Sequence, residues 1–314
     1  MATLTEPVST SAQPRTLLGL RRRYRREEAP EGMKLSIALS LLPGALLFTI
    51  FILIPLGVLV VTSFAQWSVL GLRFTGITNY DRLIHDPIFW KALRNTALYA
   101  AAGIFIQVPL GVVTGMILAQ RIRGWRIFRA VLFAPVVISG AAFALIFANV
   151  YNARYGLLNW TLDLVGISGK DWLYNVGTAL PAVAGTYVFN IGFFMILVMT
   201  EVTAIPVDIL EATQADGATR LQRDVRIVLP LLRHVIGTCV LLSLLSSLAF
   251  FDIVYILTSG GPNDATITLT VYAFAQYTSD QWGYANAIGT FVVCAGFLVI
   301  VAMKRLFRLG DRDL

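Results

Sequence analysis

A few polar side chains interrupt the long apolar runs of this sequence, and their types suit the binding of a polar solute. Asp252 lies in the apolar segment LAFFDIVY with Phe251 and Tyr255, and Tyr187 and Asn190 lie midway along an earlier apolar run. Charged groups within an apolar span are costly, so they are functional candidates by default. Carboxylate, amide and hydroxyl groups give directional hydrogen bonds and aromatic faces cover C–H surfaces, which are the contacts that a sugar needs. The alternative is that Asp252 only braces neighbouring helices or caps an adjacent segment.

No residue pattern in the sequence supports a catalytic or metal centre. A glycine-rich phosphate loop ending in Lys-Ser or Lys-Thr, a nucleophile elbow, an HExxH pair and a histidine cluster are all missing. Cys239 and Cys294 lie in apolar runs without metal-ligand spacing, and Gln107 and Asn149 suit the bracing of helices. The chain is therefore predicted not to be an enzyme and to bind no cofactor, so energy for any uphill step must come through another subunit.

The composition indicates a membrane protein. Of the 314 residues 57% are hydrophobic and only 14% are charged, and the mean hydropathy is +0.72. About 20 apolar residues in a helix cross the hydrocarbon core of a bilayer. The sequence therefore predicts an all-α membrane protein with six transmembrane helices, at roughly 36–63, 95–119, 127–149, 181–203, 235–258 and 286–307.

The distribution of basic residues predicts the orientation of these helices. With the N-terminus inside, 19 of the 25 lysines and arginines fall in cytoplasmic segments, as the positive-inside rule expects. Residues 1–33, with the basic cluster RRRYRR, are predicted to be a disordered cytoplasmic tail, and 34–310 the membrane domain. Both termini are expected in the cytoplasm. The net charge of +7 indicates contact with a lipid surface and not with nucleic acid.

A polar stretch at 204–233, between the fourth and fifth predicted spans, has its own helical signals. Pro206 suits the first turn of a helix, and Gly217 can adopt the left-handed conformation that ends one. Thr219 and Gln222 have the spacing of a capping box at the start of a second helix, which Pro230 is expected to end. The stretch therefore predicts a cytoplasmic helix, a sharp turn and a second helix.

The order of residues in this stretch resembles the EAA loop of permease subunits of ABC importers, in the binding-protein-dependent transport family. In that family the loop is a coupling element that docks into a cleft on a separate ATPase subunit. The residues to which the resemblance assigns this role are Glu211, Ala212, Asp216, Gly217, Ala218, Arg220, Leu229 and Pro230. Thr213 and Asp224 depart from the usual pattern, and Asp224 is expected to alter a face toward the ATPase. The alternative is an amphipathic helix that rests on lipid headgroups.

A second stretch resembles the maltose-type sugar permeases of that family. Phe251-Asp252, the segment 255–258, Gly260-Gly261-Pro262 and Thr266 follow their FD…YxLTxGGP…T pattern, and 283–285 is similar to their GYA element. The glycines and proline predict a tight turn where the fifth helix leaves the membrane. The resulting candidates for the substrate pathway are Tyr187, Asn190, Phe251, Asp252, Tyr255, Gly260, Gly261 and Pro262.

The two resemblances together imply a permease subunit of an ATP-driven sugar importer in the bacterial inner membrane. Such a subunit forms half of the pathway beside a second, related permease and works by alternating access. Two ATPase subunits would bind ATP and Mg²⁺, and an extracellular or periplasmic sugar-binding protein would deliver the carbohydrate. The alternative is an ion-coupled secondary transporter of small polar solutes, which would need an ion-coupling site that is not visible here.

Overall fold

The computed structural model describes residues 31–307. Residues 1–30 of the predicted tail and 308–310 of the predicted membrane domain lie outside this range. For residues 31–38, Tyr187 and Gln214 the structure describes the backbone and not the side chain. The helices are, in chain order, α1 Glu31–Phe48, α2 Ile54–Thr62, α3 Thr78–His85, α4 Pro87–Ala102, α5 Val108–Ala119, α6 Trp125–Val137, α7 Gly140–Val150, α8 Leu157–Asp163, α9 Val176–Val188, α10 Gly192–Ala204, α11 Val207–Ala215, α12 Arg220–Arg223, α13 Leu229–Leu231, α14 Arg233–Leu248, α15 Asp252–Thr258, α16 Leu269–Thr278 and α17 Trp282–Phe307.

Several of these helices join into runs that can span a membrane. Within residues 31–307, four runs are long and apolar enough. Two further pairs of helices are apolar enough but bent, α6 with α7 by 105° and the run 220–231 with α14 by 66°. Counting each bent pair as one span gives up to six. The chain is therefore a mostly helical membrane protein with four to six candidate spans, and the four unbent runs are Leu39–Thr62, Pro87–Ala119, Val176–Ala204 and Trp282–Phe307.

The chain divides at Pro55 into two compact units. In the first unit α1 continues into a π-helical turn, Thr49–Leu53. The hydroxyl of Thr49 donates a hydrogen bond to the carbonyl of Ala45, four residues earlier, at 2.8 Å. This bond satisfies the polar group within the helix itself, as a lipid-facing helix requires.

Prolines determine where the helices widen. The π-helical turns Thr49–Leu53, Gly103–Gln107 and Asp224–Val228 each end one or two residues before a proline, namely Pro55, Pro109 and Pro230. A proline lacks the N–H that would bond to the carbonyl four residues earlier, and its ring crowds that carbonyl. A widened turn relieves this crowding without ending the helix. Pro55, Pro109 and Pro230 are therefore accommodated by π-helical turns.

The third predicted span, 127–149, is broken into two helices. Pro135 lies inside α6 near its end, Ile138 is extended, and Ser139 begins α7 as its N-cap. The hydroxyl of Ser139 accepts a hydrogen bond from the backbone N–H of Ala142 at 3.3 Å. A proline followed by a serine cap ends one helix and starts another in a new direction, so the predicted span 127–149 is sharply bent.

The fifth predicted span, 235–258, is also not continuous. The chain leaves α14 after Leu248, and α15 begins at Asp252. The carbonyl of Phe250 accepts hydrogen bonds from the hydroxyls of Thr268 at 3.0 Å and Thr270 at 3.1 Å. Because side chains satisfy this carbonyl, the helix can break without leaving a buried group unpaired. The predicted span 235–258 is therefore not one helix, and Asp252 starts a separate short helix.

The prediction of an all-helical chain misses one hairpin. The strands β1, Ala65–Ser68, and β2, Gly71–Phe74, pair antiparallel with Ala65 opposite Phe74. A Cβ on Gly283 in α17 would lie 2.0 Å from the carbonyl oxygen of Ala65, so only glycine allows this close contact. The ring of Trp67 meets Trp282 edge-on at 5.4 Å. The hairpin is thus fixed on the start of α17.

Two clusters of buried side chains hold the second unit together. The larger one, the turn-side cluster, joins α4, α7, α15, α16 and α17 around Tyr99, Phe143, Val254, Leu269 and Tyr284. The smaller one, the loop-side cluster, joins α5, α10 and α14 around Val108, Val112, Phe194, Val198, Val228, Leu232 and Cys239. The two clusters support the two candidate sites described next.

Candidate functional site

The stretch 204–233, called the coupling loop from here on, begins directly after α10. It contains α11, a turn, α12, the π-helical turn and α13. Gly217 has φ of +75° in that turn, and no atom lies within 4 Å of where its Cβ would be. A side chain there would therefore be strained by the backbone alone and not by a clash. The N–H of Ala218 bonds to the carbonyl of Thr213 at 3.1 Å, which closes the end of α11.

The second helix of the coupling loop starts at the predicted capping box. Gln222 donates its backbone N–H to the hydroxyl of Thr219 at 3.3 Å, and its side chain accepts from the N–H of Thr219 at 2.9 Å. The helical backbone continues beyond Pro230, which was expected to end it, and bends at Leu232. Since a preceding π-helical turn accommodates the proline ring, the bend falls two residues later.

Most of the predicted coupling residues lie on the exposed surface of the loop. Exposed are Glu211, Ala212, Asp216, Gly217, Arg220, Leu229 and Pro230, and Ala218 is partly buried. Thr213 is buried, and its hydroxyl donates to the carbonyl of Leu210 in its own helix at 2.7 Å. The threonine that stands where a second alanine is usual therefore faces inward and leaves this surface unchanged.

Asp224 faces the membrane helices. Its carboxylate accepts a hydrogen bond from the side-chain amide of Gln120, just beyond the end of α5, at 3.1 Å. It also pairs with the guanidinium of Arg223 at 2.7 Å, and both side chains of this ion pair are mostly buried. A cavity of about 450 Å³ adjoins the pair, and Arg121 and Arg220 also line it. The expectation that Asp224 alters an outward face does not fit this geometry.

The second candidate site lies where α14 breaks and α15 begins. The ring of Phe251 stacks on Tyr255, with centroids 5.2 Å apart and planes 12° from parallel. Phe274 of α16 meets both rings edge-on, at 5.2 Å and 5.1 Å. The side chains of Asp252 and Tyr255 are exposed. The structure therefore brings three rings into one aromatic cluster (Phe251, Tyr255 and Phe274), with Asp252 next to Phe251 in the chain.

Asp252 also lies against the start of α7. A Cβ on Gly140 would lie 3.0 Å from a carboxylate oxygen of Asp252. Glycine at this position leaves room for the carboxylate beside the first turn of a helix, where the helix dipole favours negative charge. The break in the third span and the break in the fifth span thus meet at Asp252.

Asn190 lies at a different break, between α9 and α10. Its φ and ψ of −84° and 25° depart from helical values, and its side-chain oxygen is buried without a hydrogen-bond partner. It lines a cavity of about 190 Å³ together with Gln107, Phe193 and Ser246. The side chain of Tyr187 is outside the described residues. Asn190 and Asp252 therefore belong to different surroundings.

Gly260, Gly261 and Pro262 shape a turn, which we call the Gly-Gly-Pro turn (residues 259–268). Gly260 has φ of +90°, and the Gly261–Pro262 peptide bond is cis. The side-chain amide of Asn95 in α4 donates to the carbonyls of Ala265 at 3.1 Å and Ile267 at 3.0 Å. These glycines and the proline therefore place the end of α15 and contribute no side chain that could bind a solute by hydrogen bonds.

The comparisons with known proteins decide the family. A family model described as "Binding-protein-dependent transport system inner membrane component" matches residues 107–314, which is more than half of the chain. The chain belongs to this family. It is 34% identical to the probable ABC transporter permease protein YurN of Bacillus subtilis over 277 residues, which cover 86% of this chain and 95% of YurN. The predicted resemblance is therefore confirmed.

Two further similarities describe this permease. It is 30% identical to the trehalose/maltose transport system permease protein MalF of Thermococcus litoralis, over 86% of this chain and 93% of that protein. A crystal structure of a bacterial ABC transporter for import of the acidic polysaccharide alginate contains a similar chain, with a TM-score of 0.80. That match covers 90% of this permease and 98% of the other chain at 19% identity, so it shows a shared fold.

Sequence reasoning missed a hydrogen-bonded hub at Asp86. Its carboxylate accepts from the backbone N–H groups of Ile88 at 2.9 Å and Phe89 at 3.4 Å, and so caps α4. It also accepts from the hydroxyls of Tyr272 in α16 and Tyr284 in α17. Burial alone would raise the pKa of Asp86, but these hydrogen bonds outweigh it and hold that pKa below its usual range. Asp86 followed by Pro87 is a sequence signal for a helix start. The second span therefore begins at Pro87 and not at residue 95, as was predicted.

Phe274 is the second residue that sequence reasoning missed. It lies in the segment LTVYAFAQYT of α16, which reads as an ordinary apolar helix. It reaches the aromatic cluster only because the Gly-Gly-Pro turn folds α16 back against α15. No signal in the sequence could have found it without that turn.

Proposed function

We propose that this permease is one of two related membrane subunits of an ATP-driven carbohydrate importer. The observation that carries the proposal is the aromatic cluster beside Asp252 in a family whose relatives include a trehalose/maltose permease. The chain would have six spans if each bent helix pair is one span. Both termini would then lie in the cytoplasm, as the distribution of basic residues predicts. The coupling loop is then cytoplasmic, on the same side as ATP.

The aromatic cluster has the chemistry of a sugar contact. Ring faces cover the C–H surfaces of a pyranose, and the exposed Asp252 carboxylate and Tyr255 hydroxyl can bind its hydroxyl groups. Exposure of these groups in a single chain fits a pathway that a second permease completes. The solute would then pass between the two chains, with Asn190 bordering a separate cavity deeper in this one.

The exposed surface of the coupling loop supports docking of an ATPase. It combines acidic Glu211 and Asp216 with basic Arg220 on two short helices joined by the turn at Gly217. ATP and Mg²⁺ would bind to two partner ATPase chains, whose closure pushes the two coupling loops together. Rigid-body rotation of the permeases then changes access from one side to the other. An extracellular or periplasmic sugar-binding protein would deliver the solute.

Reconstitution tests this proposal. The permease is purified from its native membrane with its associated chains, inserted into liposomes, and assayed for ATP-dependent uptake of trehalose, maltose and longer oligosaccharides. Co-purification of a second permease and an ATPase, with sugar-stimulated hydrolysis, is the expected result. Uptake that stops with a protonophore and continues without ATP would overturn the proposal and favour the ion-coupled alternative.

A further inference from the structure

We propose that Gln120 and Asp224 form a tie that makes the coupling loop and helices α5 and α10 move as one body. The inference rests on the proposed function, because it concerns how a push on the loop reaches the pathway. Asp224 acts here as a positioning residue and contacts neither the solute nor the nucleotide.

The membrane side of this tie is a rigid helix pair. A Cβ on Gly111 would lie 2.6 Å from Cβ of Phe194, and one on Gly115 would lie 2.8 Å from the carbonyl oxygen of Met195. The backbones of α5 and α10 therefore touch along two turns, and close packing of this kind transmits displacement. A force that reaches either helix moves both.

The loop side of the tie is held mainly at one end. The chain leaves α10 at Ala204 and reaches α12 only after α11 and the turn at Gly217. Helix α12 is the first turn of the helical run 220–231, and the far end of this run packs into the loop-side cluster through Val228 and Leu232. The start of the run is exposed at residues 220–222, so a push beside the turn at Gly217 could bend this end away from α5.

The bond from Gln120 to Asp224 removes this freedom. It joins the residue after α5 to the residue after α12 across 104 positions of the chain. The carboxylate is held in place by Arg223, and the side chains of this ion pair are only 13% and 19% exposed. Gln120 itself is exposed, but the bond is charge-assisted, and such bonds are stronger than neutral ones. The loop thus has a second attachment to the helix pair, and a push on its exposed surface moves α5 instead of bending the turn.

The charges around the carboxylate make its replacement informative. Arg121, Arg220 and Arg223 line the same cavity as Asp224. Gln120→Glu keeps the size of the side chain but sets two acceptors against each other, so it should break the tie. The exchange Gln120→Glu with Asp224→Asn restores one donor and one acceptor and keeps the total charge.

The test uses the reconstituted complex and measures sugar imported per ATP hydrolysed. Gln120→Glu is expected to lower this ratio about tenfold while hydrolysis continues, the loss that corresponds to one charge-assisted hydrogen bond. The double exchange should recover it to within about twofold. Gln66→Glu, the same change at an exposed glutamine in β1, is the control and should leave the ratio unchanged.

The outcomes separate this proposal from the one on which it rests. A wild-type ratio in Gln120→Glu, or a double exchange no better than Gln120→Glu alone, overturns the tie while the importer assignment stands. If Gln120→Glu fails to assemble, recovery of assembly and ratio in the double exchange supports the tie, and failure of both overturns it. A wild-type complex without ATP-dependent uptake would overturn the importer assignment and the tie together.

Discussion

The Gly-Gly-Pro turn and the coupling loop are both polar connections between membrane helices, but they are built in opposite ways. Asn95 of α4 donates hydrogen bonds to carbonyls of the turn, and Thr268 and Thr270 donate to the Phe250 carbonyl at the helix break. The turn-side cluster also packs against the turn. The coupling loop exposes most of its predicted functional residues and rests on the smaller loop-side cluster. In the proposed function, the turn positions a solute site and needs internal bonds, whereas the coupling loop binds another chain and must leave its surface free.

The largest expected effect tests whether backbone shape matters more in the coupling loop than in a connection outside both regions. Gly217→Val should lower ATP-dependent uptake about tenfold or more, because the left-handed conformation costs a branched residue about 1–2 kcal/mol and the turn must relax. Gly76→Val is the matched control, since Gly76 also has φ of +64° with nothing within 4 Å of its Cβ. Uptake per assembled complex is measured for both. Equal losses at the two positions would contradict a special role for the coupling loop.

The second prediction tests the internal bonds of the Gly-Gly-Pro turn. Asn95→Ala should destabilise the permease by about 2–3 kcal/mol, because buried carbonyls lose their donor. The midpoint of thermal unfolding in detergent checks this. Asn149→Ala is the control, since its exposed amide bonds only to Leu145 in its own helix. An unchanged midpoint in Asn95→Ala would show that the turn is not held from α4.

The third prediction concerns the solute site that the turn supports. Phe274→Ala should raise the sugar concentration for half-maximal uptake by several-fold, because each aromatic pair contributes about 1 kcal/mol and Phe274 meets two rings. Concentration series in the reconstituted complex measure this. Tyr155→Ala removes an exposed tyrosine elsewhere and should change nothing. A lower maximal rate without a change in half-saturation would argue against a binding role.

The smallest effect is a pH dependence at the hub beside the turn. The pKa of Asp86 is lowered in the folded protein, so its contribution to stability is present above the unfolded pKa of about 3.9 and is lost as pH falls through the lower folded value. Between about pH 5 and pH 3 the midpoint of thermal unfolding should therefore fall less steeply in Asp86→Asn than in the wild type. Asp163→Asn, at an exposed carboxylate, should follow the wild-type curve. Parallel curves for Asp86→Asn and wild type would refute the hub.

Local patterns in the sequence predicted much of the coupling loop. The capping box at Thr219 and Gln222 and the positive φ of Gly217 are both present in the structure. Each depends on residues within a few positions of one another, so the sequence contains all of the information. The family followed from the same ordered spacing. The direction of Asp224 did not, because its partner Gln120 is distant in sequence.

The solute site was less predictable. Asp252, Phe251 and Tyr255 were found because they interrupt or flank an apolar run, yet the helix break beside them was missed. That break depends on Thr268 and Thr270, which reach the Phe250 carbonyl only after the chain has turned back. Phe274 was missed for the same reason, because it contacts the other two rings only after the turn has brought α16 against α15.

The sequence by itself determined the class of this protein, because apolar runs long enough to span a bilayer and a motif with ordered local spacing require no tertiary context. The capping box and the glycine turn of the coupling loop were likewise determined locally, since each involves residues a few positions apart. The tertiary structure alone decided which polar groups meet. The Asp86 hub, the Asn95 anchor and the tie from Gln120 to Asp224 join residues more than 100 positions apart. Such pairs become neighbours only when the helices pack, so no periodicity in the chain can indicate them.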